Sequence, residues 1–207
     1  MEQAVFRFYS ELNDFLPPDR KQISFTYHFK ERGSIKDAIE ALGIPHTEVE
    51  LILANGESVD FSYLMQNGDR ISVYPFFTSL EIASLVRVRP QSLPEPRFVL
   101  DAHLGKLATY LRLLGFDALY QNDYQDEELA RIASCEGRIL LTRDRALLKR
   151  SIITHGYCLR TTDSWEQLLA VLQRFRLFGA IAPFRRCRHC NSLLEAVDKE
   201  TIRDRLE

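Results

Sequence analysis

The second half of the chain alternates short apolar runs with segments of helical spacing. The runs FVL, ALY, ILLT and YCL are each short enough for a buried strand. Each is followed by a segment whose apolar residues recur every three or four positions. This alternation is typical of a parallel sheet with helices on its faces. We therefore predict an α/β domain with a parallel sheet over residues 96–186.

The first part of the chain has a different order of elements. Alternating runs at residues 4–9 and 22–29 predict an antiparallel strand pair. The segment SIKDAIEALGI has helical spacing, and Ser34 is a suitable N-cap for it. Further strands are predicted in VELILANGESVDF, around its Asn-Gly turn, and in NGDRISVYPFF. Residues 1–89 are thus predicted to form a small α+β domain.

A proline-rich stretch separates the two patterns. Residues 90–97, PQSLPEPR, contain three prolines, which disfavour a helix and favour an extended connection. We place the domain boundary there and treat residues 187–207 as a separate C-terminal segment.

Composition places the chain among ordinary globular proteins. It is 45% hydrophobic and 27% charged. It has no apolar run of the roughly 20 residues that a membrane span needs, and its N-terminus lacks the pattern of a secretion signal. Four cysteines in 207 residues do not make a disulfide framework. We therefore expect a cytoplasmic protein.

The net charge of −2 conceals an uneven distribution of charges. Residues 1–96 contain 9 Lys and Arg against 14 Asp and Glu, whereas residues 97–186 contain 14 against 10. A basic domain suits a polyanionic substrate such as nucleic acid, although an excess of four is also within ordinary variation.

Acidic residues follow the apolar runs of the second domain. Asp101, Asp126, Asp144 and Asp163 each come after one of them. The carboxyl ends of parallel strands meet at one edge of a sheet, so these carboxylates are predicted to lie close together. Mg²⁺ and Mn²⁺ prefer such ligands and can activate water for attack on a phosphodiester. The alternative is that each aspartate only caps a helix.

Other chemistries have less support. The chain lacks the GxxxxGK[ST] and GxGxxG motifs of nucleotide-binding loops. No histidine of the second domain has a Ser or Cys placed as a nucleophile partner. Lys106 lies in the first turn of a predicted helix, where it opposes the helix dipole. A bound phosphate would explain this position, and a solvated lysine is the alternative.

The C-terminal segment contains a CxxC knuckle. Cys187 and Cys190 have the spacing of half a tetrahedral zinc site. No Cys or His follows Cys190, so zinc binding depends on ligands from elsewhere. If the zinc ribbon is incomplete, residues from about 187 onwards should be poorly ordered or rest on another surface.

The second domain resembles a known family. The segments FVLDAHLGKLATYLRLLGFDALY, DEELARIASCEGRILLTRDRALLKR and RCRHCNSLL are similar to the C-terminal RNase domain of the Mut-seven exonuclease type, a branch of the PIN-like nucleases. The resemblance implies a PIN-like α/β fold, Mg²⁺- or Mn²⁺-dependent cleavage of RNA, and a zinc ribbon completed by a second CxxC. The residues that it implies are Asp101, Asp126 and Asp144 for the metal, with Asp163 as an assisting acid. Lys106, Arg112 and Arg143 lie in the matching motifs, and we choose them as candidates for contacts with RNA phosphates.

The first domain has a resemblance of its own. The run VELILANGESVDFSYLMQNGDRISVYP is similar to the C-terminal half of a β-grasp, ubiquitin-like domain of the sulfur-carrier type. Carriers end in a free diglycine, which is missing here, so we expect a module that docks a protein partner or is merely structural. For the whole chain we expect a metal-dependent ribonuclease. The alternative is a non-catalytic adaptor that binds RNA or protein and retains the PIN-like fold.

Overall fold

The computed structural model describes residues 1–76, 86–88 and 96–198. Within these residues the chain forms a five-stranded sheet followed by a four-stranded sheet. Residues 90–95, which are most of the predicted linker 90–97, lie outside the described residues. The domain boundary therefore stays a prediction.

The first domain has a mixed sheet with one α-helix. Its strand order is β2-β1-β5-β3-β4, with β1 and β5 parallel at the centre. The predicted antiparallel pair β1–β2 and the pair β3–β4 around the Asn-Gly turn are both confirmed. Ser34 caps the helix by accepting a hydrogen bond from the Asp37 N–H, as predicted. The elements are β1 (Glu2–Phe8), β2 (Phe25–Phe29), α1 (Ile35–Ala41), β3 (Val49–Ala54), β4 (Glu57–Val59) and β5 (Arg70–Pro75).

The second domain has the predicted parallel sheet. Its strand order is β7-β6-β8-β9, and all three strand pairs are parallel. Each strand is short and is followed by a helix that returns along a face of the sheet. The elements are β6 (Phe98–Leu100), α2 (Gly105–Leu113), β7 (Ala118–Tyr120), α3 (Asp126–Cys135), β8 (Ile139–Thr142), α4 (Arg145–Leu148), β9 (Gly156–Cys158) and α5 (Ser164–Arg174).

Both faces of this sheet are covered, which explains why its strands are apolar throughout. Successive side chains of a strand point to opposite faces. Phe98 and Leu100 therefore pack with α2 and α5, whereas Val99 packs with α3 and α4. This arrangement directs the strand ends, rather than the strand faces, toward solvent and ligands.

The core under α3 and α4 continues into the first domain. Three polar contacts fix this junction. The His46 Nε2 lies 2.7 Å from the Ile153 carbonyl oxygen, and the Lys149 Nζ donates to the Glu40 carbonyl oxygen at 2.6 Å. The Glu48 carboxylate accepts from the Cys158 N–H at 2.6 Å. The two sheets thus share one packed interior.

None of the helices in the described part of the chain has the length and apolar character needed to cross a bilayer.

Gly115 ends α2 in the left-handed conformation and approaches another backbone segment closely. Its φ is +92°, and a Cβ placed there would overlap with the Ala182 carbonyl oxygen. Gly137 also has a positive φ, +61°, but its Cβ would have open space around it. We expect Gly137→Ala to lower the free energy of unfolding by about 1 kcal/mol. Gly115→Ala should lower it by about 3 kcal/mol, because the overlap adds to the backbone strain.

Urea unfolding of the two variants and the parent checks this prediction. Equal losses of stability would mean that the segment around Ala182 moves aside without cost.

Candidate active site

Asp101 lies directly after β6, at the carboxyl edge of the sheet. Its N–H donates to the Leu141 carbonyl oxygen at 3.1 Å, which continues the pairing of β6 with β8. Its carboxylate accepts a hydrogen bond of 2.6 Å from the Thr142 hydroxyl group. Thr142 is completely buried as the last residue of β8. Asp101 is therefore held by the end of the neighbouring strand.

Asp144 is held by the same hydroxyl group. Its N–H donates to the Thr142 Oγ1 at 2.9 Å, and its Oδ1 accepts from the Ala146 N–H at 2.7 Å as the cap of α4. Among the described residues, the Asp101 Oδ1 and the Asp144 Oδ2 have no hydrogen-bond donor. Two carboxylates from adjacent strand ends thus keep one oxygen each for a ligand. We call Asp101 and Asp144 the carboxylate pair; that the two carboxylates bind one ion stays a prediction.

The other two predicted acids are engaged differently. Asp126 is the first residue of α3, and its Oδ2 lies 3.7 Å from an Nη of Arg150. Asp163 caps α5, and its Oδ1 accepts from the N–H groups of Trp165 and Glu166 at 2.9 Å each. In the part of the chain that the structure describes, no three His, Cys, Asp or Glu side chains are grouped to hold a metal ion. The described residues therefore do not form the predicted cage of three or four carboxylates.

Lys106 lies beside two aromatic rings that project from α2 and α5. Its Nζ is 5.8 Å from the ring centroid of Tyr110, and the rings of Tyr110 and Trp165 meet edge to face at 6.2 Å. Trp165 is 59% exposed, which is unusual for so large an apolar side chain. We call these three residues the aromatic platform. Sequence reasoning missed Trp165, although an aromatic residue in the polar first turn of α5 was the available signal.

The two arginines predicted to contact phosphate differ in their surroundings. Arg143 is exposed between Thr142 and Asp144, at the sheet edge. Arg112 is buried, and its guanidinium donates to the carbonyl oxygens of Ala118 at 2.8 Å and His189 at 2.6 Å. Burial lowers the pKa of Arg112. Its donors are directed at the backbone, so the prediction that Arg112 contacts phosphate is wrong.

Arg112 instead anchors the CxxC knuckle. Asn191 adds a second anchor, because its Oδ1 accepts from the Ala118 N–H at 3.1 Å and its Nδ2 donates to Asp117 at 2.9 Å. The segment after residue 187 is therefore packed on the second domain up to the knuckle turn. We expected this segment either to be poorly ordered or to rest on another surface. Up to the knuckle turn, it rests on the surface of the second domain.

The knuckle itself carries two free thiols, those of Cys187 and Cys190. Hydrogen bonding from Ser192 lowers the pKa of the Cys190 thiol to about 7. No third metal-binding side chain joins them within the described ranges. Half a zinc site is thus what these residues can supply, and zinc binding stays a prediction.

Comparisons with known proteins identify the family. The sequence profile of the Mut7-C RNAse domain matches residues 96–207, and that of the Mut7-C ubiquitin domain matches residues 1–81. The chain belongs to the Mut7-C RNAse domain family, as its motifs indicated. The comparison with curated proteins gave no match.

Two solved structures are similar to the first domain. One is SAMP1 from Haloferax volcanii, which is 14% identical with a TM-score of 0.30 and aligns over 38% of this chain and 99% of its own. The other is small archaeal modifier protein 1 from H. volcanii, also 14% identical, with a TM-score of 0.29 over 36% of this chain and 98% of its own.

The anchoring role of Arg112 leads to a test. Arg112→Met should leave the carbonyl groups of the knuckle without their donor and lower the free energy of unfolding by about 2 kcal/mol. Amide hydrogen exchange in residues 187–194 should become faster. Arg143→Met, which removes an exposed guanidinium, is the matched control and should change neither quantity. Faster exchange in the control, or unchanged exchange in Arg112→Met, would contradict the anchoring role.

Proposed function

We propose that the chain is a metal-dependent ribonuclease that hydrolyses phosphodiester bonds of RNA at the carboxyl edge of its parallel sheet. The observation that carries the proposal is the carboxylate pair, in which Asp101 and Asp144 are fixed by one buried hydroxyl group. Membership of the Mut7-C RNAse domain family supports it. Catalytic groups in open α/β sheets collect at this edge.

The donor atoms of the pair fit Mg²⁺ or Mn²⁺. Mg²⁺ in enzymes that act on phosphates is usually held by one or two carboxylates, with water and substrate phosphate completing the octahedron. The Asp101 Oδ1 and the Asp144 Oδ2 are hard oxygen donors of this kind. These two residues would hold the ion, whereas Asp163 caps α5. An all-protein cage is not required.

Other residues of the chain would orient the metal ligands and bind the RNA. A divalent cation, when bound, offsets the negative charge of the phosphate and makes a water molecule more acidic. Thr142 keeps the Asp101 carboxylate oriented, because its hydroxyl group is buried and has few alternatives as a partner. Lys106 and Arg143 are exposed cations that come soon after the ends of β6 and β8 in the sequence. They would pair with RNA phosphates.

The aromatic platform would bind the bases. Single-stranded nucleic acids stack their bases on aromatic side chains, and this contributes about 1–3 kcal/mol per base. Trp165 lies at the start of α5, two residues after Asp163, and its ring contacts that of Tyr110 in α2. An unpaired base on Trp165 would have its phosphate near Lys106.

Removal of either carboxylate tests the proposal. We expect Asp101→Asn and Asp144→Asn to lower the rate of RNA cleavage by about 100-fold or more, because several kcal/mol of charge stabilisation depend on the ion. Asp123→Asn changes an exposed aspartate in the loop before α3 and is the matched control. The measurement is the initial rate on a labelled single-stranded RNA with Mn²⁺, with EDTA as the blank.

Thermal unfolding supplies a readout that is independent of activity. Mn²⁺ should raise the Tm of the parent and of Asp123→Asn by mass action, and should not raise that of Asp101→Asn. An Asp101→Asn protein that cleaves RNA at the parental rate would refute the assignment. RNA binding without cleavage in the parent would favour the adaptor instead.

Substitution of Asp126 distinguishes a metal site of two carboxylates from one of three or more. If the carboxylate pair holds the ion, Asp126→Asn should retain most of the activity and lose only a partly exposed ion pair, which is worth less than about 1 kcal/mol. A loss as large as that of Asp101→Asn would show that Asp126 moves into the site when the metal binds.

Thr142→Val tests the link between the two aspartates. The substitution keeps the side-chain shape but leaves the Asp101 carboxylate and the Asp144 N–H without their shared partner. We expect a loss of about 2 kcal/mol in stability and about 10-fold in the rate of cleavage. Thr142→Ser keeps the hydroxyl group and should preserve the rate, although it loses a buried methyl group. A lower rate for the serine variant than for the valine variant would contradict this role.

A further inference from the structure

A cleft of about 600 Å³ lies between the two domains, away from the carboxylate pair. Tyr9 and Tyr74 of the first domain form one wall, and Tyr157 of β9 and Arg174 of α5 form the other. Its volume is within the range of about 300–1,000 Å³ that is typical of ligand sites. No residue predicted to act on the phosphodiester lines it.

Arg174 is the unusual group in this cleft. It is only 6% exposed, and its Nε and Nη1 are sealed from solvent without a hydrogen-bond partner among the described residues. Its guanidinium carbon lies 4.7 Å from the ring centroid of Phe76 and 5.8 Å from that of Tyr157. Aromatic faces attract a cation but provide no hydrogen-bond acceptors in the plane of the guanidinium.

This arrangement is costly unless an anion completes it. A buried charge without a counter-ion costs several kcal/mol. The position at the last turn of α5 favours a cation but does not require a buried one. Arg160, the other cation of the cleft, is exposed and already lies 3.5 Å from Asp14 and 3.7 Å from Glu48. Arg174 is therefore the cation that lacks a partner, and a planar fork of this kind matches phosphate or carboxylate.

Acidic groups in the cleft do not supply this partner. Glu11 lies in the wall, where its carboxylate accepts a hydrogen bond of 2.9 Å from the Ser10 hydroxyl group. Within the described residues it makes no ion pair with Arg174. Among the described residues no acceptor serves the Nε or Nη1 of Arg174, which leaves this position open to an anionic ligand.

The rings of the cleft indicate the chemistry of that ligand. Tyr9 and Tyr74 are stacked with their centroids 4.2 Å apart and their planes 12° apart, and both are half-buried. Together with Phe76 and Tyr157, they give the lining of the cleft four aromatic side chains, of which Phe76 and Tyr157 lie against the Arg174 guanidinium. Alternation of arginine and aromatic rings is how proteins hold single-stranded nucleic acids, with rings against bases and cations against phosphates. An acidic peptide would satisfy the cation and leave the rings without partners.

We infer that this cleft binds a segment of single-stranded RNA, with a phosphate group paired to Arg174 and an unpaired base against the Tyr9–Tyr74 stack. The inference deepens the proposed function and rests on it for the choice of RNA as the polymer. It adds a second contact between enzyme and substrate, formed jointly by the two domains, so the first domain takes part in substrate binding. Double-stranded RNA is excluded from the cleft, since its bases are already stacked and paired.

Binding measurements in EDTA test the inference without cleavage. We would measure the fluorescence anisotropy of a labelled single-stranded RNA with the full chain, with Arg174→Met and with Tyr9→Leu. Each variant should raise the Kd by about 10-fold, as expected for the loss of one charge-assisted contact or one stacked base. Arg131→Met on the exposed face of α3 and Phe184→Leu at an exposed site are the matched controls and should leave the Kd unchanged.

Stability separates a binding role from a structural one. Methionine replaces an unpaired buried charge with an apolar side chain of similar length, so Arg174→Met should keep the parental Tm or raise it. In the parent, single-stranded RNA should raise the Tm, and this increase should be smaller in Arg174→Met. A Tm that falls in the variant with no change in Kd would overturn the inference.

The outcomes also distinguish this inference from the proposed function. Weaker RNA binding by the cleft variants, in a chain that cleaves no RNA with Mn²⁺, would support the cleft and refute the ribonuclease. Cleavage that depends on Asp101, together with unchanged RNA binding by both cleft variants, would refute the cleft alone. Displacement of the RNA by poly-glutamate as readily as by unlabelled single-stranded RNA would also refute it.

Discussion

The hydroxyl group of Thr142 is the contact on which the candidate active site depends. Parallel pairing in the register Leu100 with Leu141 brings the ends of β6 and β8 side by side. Thr142 is buried there, and its hydroxyl group donates to the carboxylate of Asp101 while accepting from the N–H of Asp144. A buried hydroxyl group must be paired, so this group links the carboxylate of Asp101 to the backbone of Asp144 at the sheet edge.

The rest of the second domain is arranged around that edge. Its two faces are occupied by helices, which leaves the strand ends as the place where polar groups can collect. The helices that cover one face, α2 and α5, also carry Lys106 and Trp165 in their first turns and the half-buried Tyr110 in the middle of α2. These basic and aromatic groups are thus supplied by the same elements that bury the core, while Arg112 of α2 anchors the knuckle.

Local patterns were sufficient for the elements and for the positions of Asp101 and Asp144 at strand ends. The strand ends at Asp101 and Asp144 could be read because a fully buried strand is a continuous apolar run. The sequence could not predict that Asp126 faces Arg150 or that Arg112 is buried, because both depend on contacts between segments distant in sequence. The contact between His46 and Ile153, 107 residues apart, is beyond any pattern of spacing. The same holds for the unpaired guanidinium of Arg174, which only the packed rings reveal.

Strand β9 is the outer strand of the four-stranded sheet, and such strands offer free amide groups to other chains. Here the outward N–H of Cys158 is bonded by Glu48, a side chain of the ubiquitin-like domain. The first domain therefore covers this edge strand of the second domain. A second domain separated from the first would expose this strand edge and tend to self-associate, so the solution behaviour of one domain depends on the presence of the other.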